Sequence, residues 1–194
     1  MNGNGTGIGI GHNQGPSMEK GRSWRSFQWR QAQKALMPKA IPLAVVKMRV
    51  RRARQLGMDY KAYAAIRQAT GRDVCGLLFS SNALRIMAGQ AAMPEDRRAV
   101  LATVEGAERM AAVYRPLSLA EVLGANPLDA VMPAPDLQLS WAETGARFRD
   151  FVAERRLVGD QVVLIGETAL EAQWLGAARA AGYLPAERYF PSRP

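Results

Sequence analysis

The chain has 194 residues, enough for one main folded domain with a sizeable core, and its 48% hydrophobic and 22% charged content exclude wholesale disorder. Its formal charge of +9 is unevenly divided: residues 1–72 hold 14 Lys and Arg against Glu19 and Asp59, whereas residues 73–194 hold 12 Arg against 15 acids. A basic front of this kind predicts an anionic partner, whether nucleic acid, an acidic protein or an acidic membrane surface, and says nothing about fold.

Residues 1–21 are rich in glycine and asparagine with almost no apolar bulk, and read as a flexible tail. The glycine run NGNGTGIGIGHNQGP does not fit a dinucleotide loop. In every G-x-G register the third glycine position falls on Ile8, Ile10, His12 or Gln14, and no strand can precede it. GIGHNQGP, Gly9–Pro16, resembles a short N-terminal tag of assorted uncharacterised bacterial and phage proteins, and that resemblance carries no activity.

The basic helical region spans 22–72. SWRSFQWRQAQKALM predicts a helix from about 23 to 37, ended by Pro38, in which Trp24, Phe27 and Trp29 alternate with Arg22, Arg25, Arg30 and Lys34. Such rings serve either as a packing face or as stacking platforms for unpaired bases. A second helix, LAVVKMRVRRARQL, starts after Pro42 and is stopped by Gly57, and a third, DYKAYAAIRQAT, runs from the cap Asp59 to Gly71. Residues 53–71 resemble a helix-turn-helix: small Ala53 where the helices cross, Leu56-Gly57-Met58 at the turn, and Ile66 facing inward. Tyr63 departs from that pattern by its bulk, and a plain α-hairpin with a solvated basic face fits the same spacing. The resemblance implies that Lys61 and Arg67 reach bases while Arg49, Arg51 and Arg52 hold phosphates.

The remainder, 73–194, reads as a small α/β body of parallel strands with packed helices. DVCGLLFSS predicts a buried strand followed by a helix from Asn82. PEDRRAVLATVEGAER has helical spacing, and MAAVY after it is either a strand or the helix continued. Three Ser/Thr-x-x-Glu boxes mark helix starts at Ser118, Ser140 and Thr168, with ANPLDAVMPAPDLQL between the first two as a loop. QVVLIGE predicts a second buried strand, and ALEAQWLGAARAA a helix terminated by Gly182.

In parallel sheets ligands bind beyond the carboxyl ends of the strands, which selects Ser81, Asn82 and Glu167 as candidate ligand-binding residues. His12, the only histidine, lies in the segment read as a flexible tail, so no Ser-His-Asp or Cys-His arrangement or histidine metal cluster is expected, and the single Cys75 cannot make an internal disulfide. No catalytic residue, metal ligand or cofactor is assigned from the sequence. With no secretory leader pattern and no apolar run of about 20 residues, the expectation is a cytoplasmic protein without an integral membrane segment. The leading expectation is an accessory or regulatory nucleic-acid-binding protein using 22–72; the alternatives are a ligand-binding or enzymatic α/β domain acting at the strand carboxyl ends, and an interaction module for an acidic partner.

Overall fold

A computed structural model of the chain describes residues 41–136 and 138–190. The predicted tail and the 23–37 helix lie outside the described residues. From Leu43 onward the chain forms one unit, built from helices α1 (Leu43–Gln55) and α2 (Tyr60–Thr70), strand β1 (Gly76–Ser80), α3 (Glu95–Ala102), β2 (Glu108–Val113), α4 (Leu119–Ala125), β3 (Ala130–Pro133), α5 (Trp141–Glu154), β4 (Val162–Gly166), α6 (Ala169–Ala178), β5 (Gly182–Pro185) and α7 (Ala186–Tyr189).

All five strands are parallel, in the order β3-β2-β1-β4-β5. The chain therefore grows outward from β1 through β2 to β3, then returns to the other side of β1 for β4 and β5. Side chains alternate between two cores. Leu77, Phe79, Ala111, Val113, Val163 and Ile165 face one, and Leu78, Met110, Ala112, Val162 and Leu164 face the other. Because both faces are covered, β1 and β4 are apolar along their length except at Gly76, Ser80 and Gly166.

On the first face, α3 and α4 contribute Leu101 and Val122. On the second, α5 and α6 contribute Phe148, Val152, Trp174 and Ala178. Right-handed crossovers require this division, since reversing the direction of strand addition moves the helices to the opposite face. The first face also receives the α1–α2 hairpin, through Ala53, Leu56, Ala62, Tyr63 and Ile66. The hairpin therefore shares one core with the sheet although its charge sets it apart in the sequence.

The hairpin's local chemistry follows the sequence closely. Gly57 turns the chain at φ +67°, Asp59 caps α2 by accepting the Ala62 N–H at 2.8 Å, and Gly71 ends it in the left-handed region. Two capping boxes are reciprocal, at Ser140 with Glu143 and at Thr168 with Glu171, whereas Ser118 only accepts from Glu121.

Several elements differ from expectation. The residues after β1 do not continue as a helix: 81–85 make a tight turn, with Arg85 at φ +54°, leading to a small bridge between Met87 and Gln90. The segment expected as one loop contains β3, and Gly182 opens β5 instead of ending α6, which stops at Arg179 in the left-handed region. Helix α3 stops at Ala102, and MAAVY lies almost wholly in β2. Edge position explains why two of the strands are not legible in the sequence. Four residues each, with prolines at their ends, they lack the long apolar signature of the central strands.

Arg52 ties the hairpin to the amino edge of the sheet. Its guanidinium donates to the carbonyls of Val74 (2.9 Å), Glu105 (2.9 Å) and Gly106 (2.8 Å), and its Nε lies 3.3 Å from Asp73. Replacing it leaves the carbonyls of Val74, Glu105 and Gly106 without this donor, whereas Asp73 keeps Tyr63 Oη, the Val74 N–H and Arg67. Arg52→Ala is expected to cost about 2 kcal/mol in urea unfolding, against less than about 0.5 kcal/mol for the exposed neighbour Arg51→Ala.

Candidate ligand site at the carboxyl edge

The order of strands reverses between β1 and β4, and in open parallel sheets the crevice beyond such a reversal is where ligands bind. Two segments meet there, Ser80-Ser81-Asn82 after β1 and Glu167-Thr168 after β4. Asn82 Nδ2 donates to Glu171 Oε1 at 2.9 Å across 89 residues of sequence. Glu171 itself is 1% exposed. Its Oε2 accepts the backbone N–H groups of Glu167 (2.6 Å) and Thr168 (3.0 Å), completing the capping box of α6.

Gly166 makes this arrangement possible. A Cβ at that position would lie 2.9 Å from Glu171 Oε2 and 2.9 Å from the Tyr183 ring, so only glycine lets the carboxylate lie against the end of β4. The sequence signal was present in the strand run QVVLIGE, but without the fold it read only as a strand ending.

The three residues selected from the sequence come to this edge in different states. Asn82 is exposed and bound to Glu171, and Glu167 is exposed. Ser81 is buried, and its Oγ accepts the Tyr114 N–H at 3.2 Å, while Ser80 Oγ accepts the Ala83 N–H at 3.0 Å. Both hydroxyls thus hold the turn after β1. Two of the amides leading into α6, those of Glu167 and Thr168, are already taken by the Glu171 carboxylate.

The residues that sequence reasoning missed are those around this pair. Tyr114, at the end of β2, is packed against Trp174 with ring centroids 6.0 Å apart. Burial first, and then the Glu171 carboxylate, push its phenol well above the usual range. Tyr183 is raised for the same reasons, with Glu167 adding to the effect. Arg97 is 5% exposed, its guanidinium carbon 4.1 Å above the Phe190 ring. Burial and then the nearby charge of Arg85 lower its affinity for the proton, while Asp96 and Glu167 raise it.

Beside Tyr114 a cavity of about 380 Å³ opens at the ends of β2 and β3, lined also by Arg115, Pro135, Asp136, Arg147 and Leu170. Its volume is that of a small-molecule site. Two guanidiniums against one carboxylate favour a ligand with an anionic group, and Tyr114 stays a neutral hydrogen-bond donor near neutral pH.

The nucleic-acid candidates lie elsewhere. Lys61 on α2 and Arg51 on α1 are exposed, and Arg49 is half-buried. Arg52 holds the sheet edge as described, and Arg67 pairs with Asp73 at 3.4 Å. Among the described residues no group of three or more His, Cys, Asp or Glu is arranged to hold a metal, and no helix is long and apolar enough to cross a membrane.

The raised phenols give stability a defined pH dependence. The ordinary value for each is 10.0, so above it the unfolded chain loses these protons while the folded chain keeps them. The stability they contribute is full below about pH 10 and is lost as pH rises further. The urea midpoint is expected to fall between about pH 9 and about pH 11, and Tyr114→Phe to reduce that fall. An unchanged slope in Tyr114→Phe would show that Tyr114 titrates as a free phenol.

No family model, no curated protein and no solved structure matches the chain, so the geometry of the site carries the functional reading.

Proposed function

We propose that the chain is a ligand-binding or enzymatic α/β domain that takes a small molecule bearing an anionic group at the carboxyl edge of its sheet. The observation that carries this reading is the Asn82–Glu171 contact at the β1–β4 reversal, where the topology brings two remote polar segments together. A buried carboxylate with three N–H donors fixes the floor of the crevice, and Arg115 and Arg147 in the adjoining cavity supply the charge. In this reading the exposed Glu167 exchanges a proton with the ligand and Asn82 orients it.

A thermal-shift screen of the full chain against nucleotides, sugar phosphates and dicarboxylates tests this. A true ligand at a hundred times its Kd stabilises the folded state by about 2.7 kcal/mol, which for a chain of this size raises Tm by roughly 5–10 °C. Arg147→Ala, on the exposed side of α5, is expected to remove the shift without lowering the unliganded Tm. The reading fails if no anionic compound in the screen moves Tm.

A second reading has its own observation. Helix α1 has no acidic residue, and Lys47, Arg51 and Arg54 are exposed on it, with Lys61 exposed on α2. These four cations suit phosphates of a nucleic acid, or the carboxylates of an acidic protein. Duplex and single-stranded nucleic acids titrated at several salt concentrations separate the two. Micromolar binding at low salt, with the log–log salt slope reduced by about one for each of Arg51→Ala and Lys61→Ala, supports nucleic acid. Absence of binding even at low salt removes it.

A further inference from the structure

We propose a second binding site, at the opposite, amino edge of the sheet, that takes an aliphatic carboxylate. A cavity of about 570 Å³ lies between the ends of α5 and α6 and is distinct from the carboxyl-edge site. Its floor is apolar. Val152 and Ala178 belong to the core of the second face, Leu157 packs against that core, and Val158 remains 47% exposed at the rim. Leaving this much aliphatic surface open costs free energy that an alkyl chain would recover.

The rim is cationic. Arg72, Arg149 and Arg179 line it against a single acid, Asp160, which Arg72 engages at 3.0 Å. Arg149 and Arg179 have no carboxylate partner among the described residues. The carboxyl ends of α5 and α6 place about half a negative charge each nearby, which two unpaired guanidiniums outweigh. The field at the rim therefore selects an anion.

Chain and charge together define the occupant. An inorganic anion would use the rim and leave the apolar floor wet, whereas a neutral alcohol would fill the floor and leave the guanidiniums unused. A carboxylate is matched to the arginine fork, which grips it through two parallel N–H donors. An acidic peptide is the competing occupant, and it would not reproduce a dependence on alkyl-chain length. The ligand class is thus a medium-chain fatty carboxylate, bound one per chain.

Calorimetric titration of the full chain with hexanoate, octanoate and decanoate is the test, with acetate and octanol as controls. Acetate is expected to show no binding, and each added methylene to tighten binding by about fourfold until the cavity is full. Octanoate should bind at least about tenfold more tightly than octanol, the margin expected of a charge-assisted hydrogen bond. The double variant Arg149→Gln with Arg179→Gln should bring octanoate down to octanol's affinity. Ala153→Trp, at an exposed position of α5 that lines the cavity, should block both. Arg147→Ala, in the carboxyl-edge cavity, should leave octanoate binding unchanged, which keeps this test separate from that of the first site.

The proposal is overturned if octanoate does not bind, if affinity does not grow with chain length, if octanol binds as tightly, or if binding is lost in Arg147→Ala instead. Should the double arginine variant fail to fold, persistence of octanoate binding in Ala153→Trp would overturn it equally.

Discussion

A parallel sheet exposes two apolar faces, and both must be covered. Most of this chain's architecture answers that requirement. The right-handed crossovers after β1 and β2 supply helices to the first face, and those around β4 supply the second, so the first face above β4 and β5 would be bare. The α1–α2 hairpin and α7 fill that gap. Ile66 packs so closely on β5 that a Cβ at Gly182 would lie 2.8 Å from its Cγ1. The basic hairpin α1–α2 is therefore part of the fold's covering layer, with Lys47, Arg51, Arg54 and Lys61 left exposed on it and Arg52 turned to the sheet edge.

The same topology creates the candidate site. Once strand addition reverses at β1, the segments leaving β1 and β4 diverge to opposite faces, and the space between them is open. Here the chain spans that opening with Glu171. Burial of a carboxylate is tolerated because its oxygens accept two backbone N–H groups and the Asn82 amide. Burial first, and the neighbouring Glu171 carboxylate second, keep Tyr114 and Tyr183 in their neutral forms at this edge.

How far the sequence reveals this depends on the type of signal. GLLFS and VVLIG were legible because strands buried on both faces are continuous apolar runs, and Asp59, Ser140 and Thr168 were legible because caps obey local rules. AVMP and GYLP were not, since short edge strands carry little apolar length and tolerate proline. At the site, Asn82 and Glu167 could be chosen as strand-end residues, but Glu171 read only as the last member of a capping box. Its pairing with Asn82 depends on the order of strands, which no local pattern encodes. Arg52 shows the reverse difficulty: five cations in α1 look alike in sequence, and only the position of Val74, Asp73 and Gly106 distinguishes the one that is committed internally.

Helix α7 carries a consequence for the order in which the molecule is assembled. Tyr189 Oη donates to the Leu56 carbonyl at 2.8 Å across 133 residues, and Arg188 lies 3.1 Å from Asp59. During synthesis the hairpin is made before β5 and before the ring that seals its turn. Until then Ile66 and Leu56 have no β5 or Tyr189 to rest on, and the nascent chain carries an apolar hairpin face to water. Closure of the hairpin face thus waits on β5 and α7, the elements most distant from it in sequence among those that pack on it.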